Sequence, residues 1–470
     1  MENTTKIFDD LVATGGSDEH GPISSNTTTF SIGLFSPTDG LNTSKPLFYE
    51  YHYKAPSLAI NPGSETNVGA LNIYRIGSLT QVFTTWLTLV EAGEASWAAP
   101  VTKYIPELAQ AVASNHDQTA VTQVAWEDVT LGDLAAHLAC ISTSGSMQGR
   151  TFEEMFQNLA TQVGMSNSSL TAPSDITNAI IPSDVDISGW STDYGDESPS
   201  IGMYSSIHDL SLAGIAILNS TLLPSAVTRR WLKPVSHTSN LRNAIGRPWI
   251  IFSATPGSPI DPRIEVFTNY GFIGQYSSYI GLTTDHNVGF VILAADSIKA
   301  PDLNAHADFI GEVMIPALEK AAIVQAGKNY AGSYSFSSSD ASQNATMVIA
   351  KPDGMAGLSL ANLTRGNEDL RASLARSLGV DPSTFSIRLY PTNSKPRMSG
   401  GRTQMAFRAV FQDEDALVDG GTPTCITWEA VDGVNYDGKA RDLLIFTLNE
   451  DGAAESVSLP GWRLELLRQK

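Results

Sequence analysis

The chain has 470 residues, 42% of them hydrophobic and 17% charged, and a formal net charge of −20. That length buries a sizeable core and predicts two domains, and the composition excludes a disordered or fibrous chain. So negative a balance repels nucleic acid and anionic membrane surfaces, and no run is apolar enough to span a bilayer.

In chain order, the start Met1–Lys6 lacks the apolar core of a signal peptide. Seven Asn-x-Ser/Thr sequons, at Asn3, Asn26, Asn42, Asn167, Asn219, Asn344 and Asn362, nevertheless hint at a secretory history. Thr28–Ser36 and Pro46–Tyr53 predict an edge hairpin. Leu79–Ala92 has the spacing of a buried helix that begins just after Ser78 and ends at Gly93. Pro100–Pro106 reads as a short extended or turn segment. Thr130–Leu138 reads as a helix capped by Thr130, Thr151–Val163 as one with Phe152, Met155, Phe156 and Leu159 on one face, and Ser205–Leu218 as another.

Arg263–Phe267, Tyr276–Leu282 and Gly289–Ala294 predict consecutive antiparallel strands, with turns at Asn269–Gly271 and Thr284–Asn287. Asp302–Ala322 closes this half as one or two helices. Beyond about residue 328 the character changes to short strands between turns: Ala331–Ser337, Ala345–Ala350, Phe385–Tyr390, Gln404–Phe411, Thr424–Trp428 and Leu443–Leu448. They predict an all-β barrel or sandwich over residues 326–470, after a first domain over 1–325. The joint near Gln325–Lys328 is short. Cys140 and Cys425 allow one long-range disulfide, and no Cys/His spacing suits zinc, so no metal or cofactor is expected.

The chemistry centres on Tyr74-Arg75-Ile76-Gly77-Ser78-Leu79-Thr80-Gln81. A serine at a helix start with a lysine one turn later makes an acyl-transfer nucleophile, because both lie on one face and neutral lysine takes the serine proton. Here the later residue is Gln81. Its amide orients a hydroxyl by hydrogen bonds but is no base at neutral pH.

The chain resembles the class C β-lactamase and penicillin-binding-protein-like serine hydrolases, in particular fungal β-lactamase-like proteins with an extra C-terminal β domain. The resemblance is carried by YRIGSLTQVFTTWLTLVEAGEASWAAPVTKYIPEL, WEDVTLGDLAAHLACIS and GWSTDYGDESPSIGMYSSIHDLSLAGIAILNS. TRRWLKPVSHTS, NYGFIGQYSSYIGL, NYAGSY and TCITW extend it over most of the chain. It implies an α/β (α+β) transpeptidase-like domain, an antiparallel sheet with helices on both sides, followed by a β-barrel-like domain. In that family Ser-x-x-Lys, Tyr-x-Asn and Lys/His-x-Gly meet in one pocket. Ser78 matches the nucleophile, Gln81 stands at the lysine, and the third motif falls at Asn269-Tyr270-Gly271 without its cation. The second motif should follow the helix ending near Ile141. The chain instead runs Ile141–Arg150 straight into the next helix, with no Tyr-x-Asn and without the family's usual excursion.

These departures remove the general bases and one positive charge, and they predict a wider pocket suited to a bulky, apolar small molecule. The candidate catalytic residues are Ser78, Gln81 and Tyr194, with Asp196 and Glu197 as alternative acids or bases on the same loop. Asn269, Tyr270, Gln275 and Tyr276 are candidate substrate contacts. Each has a plainer reading: Ser78 as a helix cap, Gln81 as a space filler, the acidic loop as solvated surface, and Tyr276 and Gln275 as strand packing. His137 reads as structural on a helix face, and Phe83, Trp86, Trp231 and Trp249 read as core. Three functions compete. One is a repurposed pocket in fungal natural-product biosynthesis that steers cyclisation, rearrangement or dehydration. The second is a serine esterase or acyltransferase using Ser78, and the third a ligand-binding pseudoenzyme.

Overall fold

The computed structural model describes residues 2–37, 45–58, 67–108, 124–138, 151–254, 263–351, 357–392, 394, 396–416 and 433–469. The described chain forms two compact units: one runs through residue 254 and resumes over Arg263–Ile315, and the other begins at Pro316.

The first unit is a sheet between helices. Its strands are β1 (Thr28–Phe35), β2 (Leu47–Tyr53), β5 (Ser236–His237), β6 (Asn243–Ile245), β7 (Ile250–Ala254), β8 (Ile264–Ile273), β9 (Tyr276–Thr283) and β10 (Val288–Asp296). A separate two-stranded ribbon, β3 (Tyr74–Arg75) with β4 (Tyr204–Ser205), lies between β2 and β5 in sequence. The main sheet has the order β2-β1-β10-β9-β8-β7-β6-β5 and every pair is antiparallel. On one face Phe8 of α1 (Glu2–Thr14) stacks on Tyr51 of β2 and meets Phe309 edge-on. On the other face Phe35, Val291 and Leu293 share a core with Trp86 and Leu87 of α2 (Thr80–Ala92), Phe156 of α4 (Phe152–Val163) and Leu210 of α6 (Ile207–Leu218). Strand alternation sends successive side chains to opposite faces, so both faces of a central strand such as β10 are apolar, and all nine of its residues are buried.

The helix boundaries follow local chemistry. Gly93 stops α2 with φ +72°. Thr130 caps the short α3 (Leu131–Ala135) and Thr151 caps α4, each through a reciprocal pair with the acid three residues on, Asp133 and Glu154. Because α3 is one turn long, His137 lies beyond it with φ +58° and not on a helix face. The Pro100 segment contains a 3-10 turn at Val101–Lys103. The two small helices α5 (Ser198–Ile201) and α7 (Ser225–Trp231) flank α6. Trp86, Trp231 and Trp249 pack ring against ring, as core.

One expectation is corrected here. Asn269-Tyr270-Gly271 is not a turn: β8 runs through Ile273, paired with β9 from Val266↔Thr283 to Ile273↔Tyr276. The reversal falls at Gly274, whose φ is +54°. The segment after Asp302 is one helix, α8 (Asn304–Tyr330), which carries Pro316 inside it.

The second unit closes on itself. Strands β11 (Gly332–Phe336), β12 (Ala345–Ala350), β13 (Leu358–Arg365), β14 (Phe385–Pro391), β15 (Arg402–Asp413), β16 (Leu443–Leu448), β17 (Ala454–Leu459) and β18 (Leu464–Arg468) run β12-β11-β18-β17-β16-β15-β14-β13, and β13 pairs back onto β12. This is an eight-stranded antiparallel barrel, the size at which side chains fill the interior. Tyr330, Phe407 and Phe446 form an aromatic cluster inside it, and α9 (Leu370–Ser377) adds Leu370 and Leu374 to the same core. The strand expected at Thr424–Trp428, the two cysteines and the Ile141–Arg150 stretch lie outside the described residues.

Candidate functional site

Ser78 sits in a 3-10 turn, Gly77–Leu79, that feeds directly into α2. Three tethers set this turn. Strand β3 before it pairs with β4, and Ile76 N–H donates to the Met203 carbonyl. The Thr80 hydroxyl donates to the Gly77 carbonyl at 2.6 Å and accepts from Met203 N–H. The third tether is steric. A Cβ on Gly271 of β8 would stand 2.2 Å from the Ile76 carbonyl oxygen and 2.7 Å from Ser78 N, all rigid backbone. Only glycine lets the strand lie this close to the serine turn.

Residues on β8 alternate about that contact. Asn269 and Gly271 share the face toward Ser78, whereas Tyr270 and Phe272 point to the opposite face and are 52% and 63% exposed. Of the candidate contacts on this strand, Asn269 therefore lies on the Gly271 face and Tyr270 on the other. Asn269 itself is 4% exposed, and its amide donates to the Pro248 carbonyl at 2.9 Å, while its Oδ1 has no partner.

The other wall is the loop from Asp184 to Met203. Gln81 reaches it, donating from Nε2 to Ser200 Oγ at 3.3 Å, and the Thr84 hydroxyl donates to the Pro199 carbonyl. The amide at the lysine position is thus turned to the loop, and among the described residues no side chain hydrogen-bonds the Ser78 hydroxyl. Tyr194 is half-buried on this loop, with Asp196 and Glu197 exposed beside it.

Arg75 is the residue sequence reasoning missed. It is 1% exposed, has no carboxylate partner among the described residues, and donates to the carbonyls of Gly189 at 2.5 Å and Thr192 at 2.8 Å. The Tyr194 and Tyr204 rings lie 5.0 and 4.6 Å from its guanidinium. Burial pushes its pKa down, and the neighbouring tyrosines and Asp193 oppose that. Arg75 therefore staples the loop to the strand that leads into Ser78. The only advance signal was its position three residues before the serine.

Gln275 and Tyr276 are both buried. Gln275 is buried, accepts from Ser183 Oγ at 2.5 Å and donates to the Ser297 carbonyl at 3.1 Å. Tyr276 is wholly buried near Trp190, and burial drives its phenol pKa far upward. Both hold the β8–β9 turn against the loop. His208 bonds the buried Asp209 carboxylate, and His237 lies on edge strand β5. Among the described residues no three His, Cys, Asp or Glu side chains gather as a metal site, and no helix is long and apolar enough to cross a membrane.

Residues 61–145 match a family model described as "Beta-lactamase", and residues 322–470 match one described as "Beta-lactamase-like-like, C-terminal domain". The chain is 24% identical to a "Beta-lactamase-like protein" of Arthroderma benhamiae, over 94% of this chain and 88% of that protein. That alignment is 540 residues long, longer than this whole chain, so the relative carries segments that this chain lacks. It is also 24% identical to a "Probable hydrolase M10" of a Phoma species, covering 66% of this chain and 52% of the length of that protein. Among solved structures, a class C β-lactamase from Rhodobacter sphaeroides aligns with 67% of this chain and 100% of its own, at 13% identity and a TM-score of 0.46.

Proposed function

The chain belongs to the β-lactamase-like family, and on that premise we propose that its Ser78 pocket binds a lipophilic small molecule and steers a non-hydrolytic step. Cyclisation, rearrangement and dehydration of a natural-product intermediate are the reactions in view. They need shape, hydrogen bonds and at most one acid or base, whereas acyl transfer needs an activated nucleophile. The observation that carries the reading is the fate of Gln81. It occupies the base position, cannot take a proton at neutral pH, and spends its amide on Ser200. Asn269 likewise supplies no cation and is held by Pro248. Tyr194, on the same loop, carries a phenol proton, and its ring lies against Arg75.

A second reading, a serine esterase, is favoured by one feature: the Ser78 turn keeps its tight backbone packing against Gly271, as an acyl pocket requires. Turnover of p-nitrophenyl esters separates the two. The ligand-steering reading predicts the same slow rate for the wild type and for Ser78→Ala. A loss of a hundredfold or more on Ser78→Ala would establish the esterase instead.

A further inference from the structure

Seven Asn-x-Ser/Thr sequons lie outside the chemistry at Ser78, and the structure sorts those it describes. Five have an asparagine whose side chain is described: Asn26, Asn167, Asn219, Asn344 and Asn362. Asn26 lies in the turn before β1, Asn219 ends α6, Asn344 directly precedes β12, and Asn362 lies on β13. These four are exposed. Two of them border one outward patch of the barrel. The threonines of their sequons, Thr346 and Thr364, are partners across β12 and β13, with Oγ1 atoms 2.7 Å apart.

The chemistry of a glycan on asparagine separates Asn167 from these four. In the transfer the sugar C1–O bond of a polyprenyl-diphosphate oligosaccharide breaks, a C1–Nδ2 bond forms, and the diphosphate leaves while Nδ2 gives up one proton. In the folded protein the asparagine therefore needs a spare Nδ2 proton with open space beside it. At Asn344 the fold holds the other amide atom: Oδ1 accepts from Ser338 N–H at 2.8 Å, a bond that glycosylation keeps. Among the described residues the Nδ2 atoms of Asn26, Asn219, Asn344 and Asn362 donate no hydrogen bond. At Asn167 both Nδ2 protons are spent, on Ser166 Oγ at 3.4 Å and on Asp209 Oδ1 at 3.3 Å. The Asn167 backbone N–H also donates to Asp209 Oδ2, at 2.6 Å. Asp209 is wholly buried, and a buried carboxylate is stable only while its donors stay. A sugar on Asn167 replaces one of those protons and must stand against its partner.

We propose that Asn26, Asn219, Asn344 and Asn362 carry N-linked glycans and that Asn167 does not. The glycans are independent of the chemistry at Ser78. Transfer reaches the chain before it folds, so the selection against Asn167 acts at folding: a chain glycosylated there loses one of its Nδ2 bonds and packs a sugar beside a buried carboxylate. At the other four positions the folded protein leaves the glycan in solvent. On the barrel two glycans flank the Thr346–Thr364 pair, and their bulk keeps that face from packing against another protein.

Peptide mapping tests this on the protein purified from its native producer, after amidase release of glycans in heavy-oxygen water, which leaves labelled aspartate at each occupied site. Label is expected at Asn26, Asn219, Asn344 and Asn362 and not at Asn167. The hydroxyl residue of the Asn167 sequon is a serine, Ser169, where the other four have threonine, so a second sample removes that difference. Ser169→Thr is produced in yeast behind a cleaved secretion signal, beside the unsubstituted chain. The protein that reaches the medium and unfolds cooperatively should still be unlabelled at Asn167 and labelled at the other four. Label at Asn167 in that fraction, equal to the label at the other four, would overturn the selection by Asp209. Absence of label from the four asparagines of the native protein would overturn the proposal as a whole.

Discussion

Gly271 shows how one residue fixes the geometry of the Ser78 turn. Its missing Cβ is what allows β8 to touch the backbone of Ile76, Ser78 and Leu79. A side chain there meets backbone that cannot rotate away, so the strand or the turn must shift. Gly271→Ala should lower stability by roughly 2 kcal/mol, as overpacking does, and should displace Ser78. Gly164→Ala is the comparison: its Cβ meets only the end of the Leu212 side chain, at an ordinary 3.7 Å, so only the left-handed backbone (φ 90°, ψ 22°) is penalised, by about 1 kcal/mol. Urea unfolding of both variants checks the order. Equal losses would mean that the close approach of β8 is not stressed in solution. The residue scale also marks where reading the sequence stops. The motif spacing singles out Ser78, Gln81 and Gly271, and the structure packs Gly271 against the Ser78 turn. Arg75 and Ser200 were not legible, since the importance of each comes from a partner more than a hundred residues away in sequence, loop carbonyls for Arg75 and the Gln81 amide for Ser200.

At the scale of elements, helix α8 lays a histidine into the sheet. His306 is 2% exposed, its ring meets Phe30 of β1 edge-on at 4.7 Å, and neither ring nitrogen has a hydrogen-bond partner. Burial drives its pKa down to about 4, against an opposing pull from Asp302. The folded state therefore holds the ring neutral while the unfolded chain protonates it near 6.5. Stability should be full above that value and fall as the pH drops from 6.5 toward 4, by roughly 3 kcal/mol at most. His306→Leu should flatten this decline and leave the smaller contributions of His52 and His137, whose pKa values burial also lowers. Thermal unfolding between pH 4 and 8 measures it, and an unchanged slope would refute the assignment. The elements themselves were largely visible in the sequence. Caps such as Thr151 and stops such as Gly93 act locally, and a local signal survives in any context. Asn269-Tyr270-Gly271 was misread because asparagine and glycine usually mark turns, whereas this glycine serves a close contact inside a strand.

For the molecule as a whole, the family and the two-part architecture were readable from the motif stretches, since they recur along most of the chain. Chemistry was less readable, because a fold hosts many reactions and neither Gln81 nor Asn269 is a residue type that names one. The proposed function therefore rests on a single claim: Ser78 is not an activated nucleophile. Gln81 lacks the basicity of lysine, and no described side chain holds the Ser78 hydroxyl. The direct test is intact mass spectrometry after exposure to a serine-directed fluorophosphonate and to an activated ester, on the wild type, Ser78→Ala and Gln81→Lys. The account predicts an unmodified wild type that unfolds cooperatively, an unmodified Ser78→Ala, and an adduct that emerges only when Gln81→Lys returns a base to the helix. A stoichiometric adduct on the wild type that is absent from Ser78→Ala would contradict it and make this protein an acyl-enzyme former.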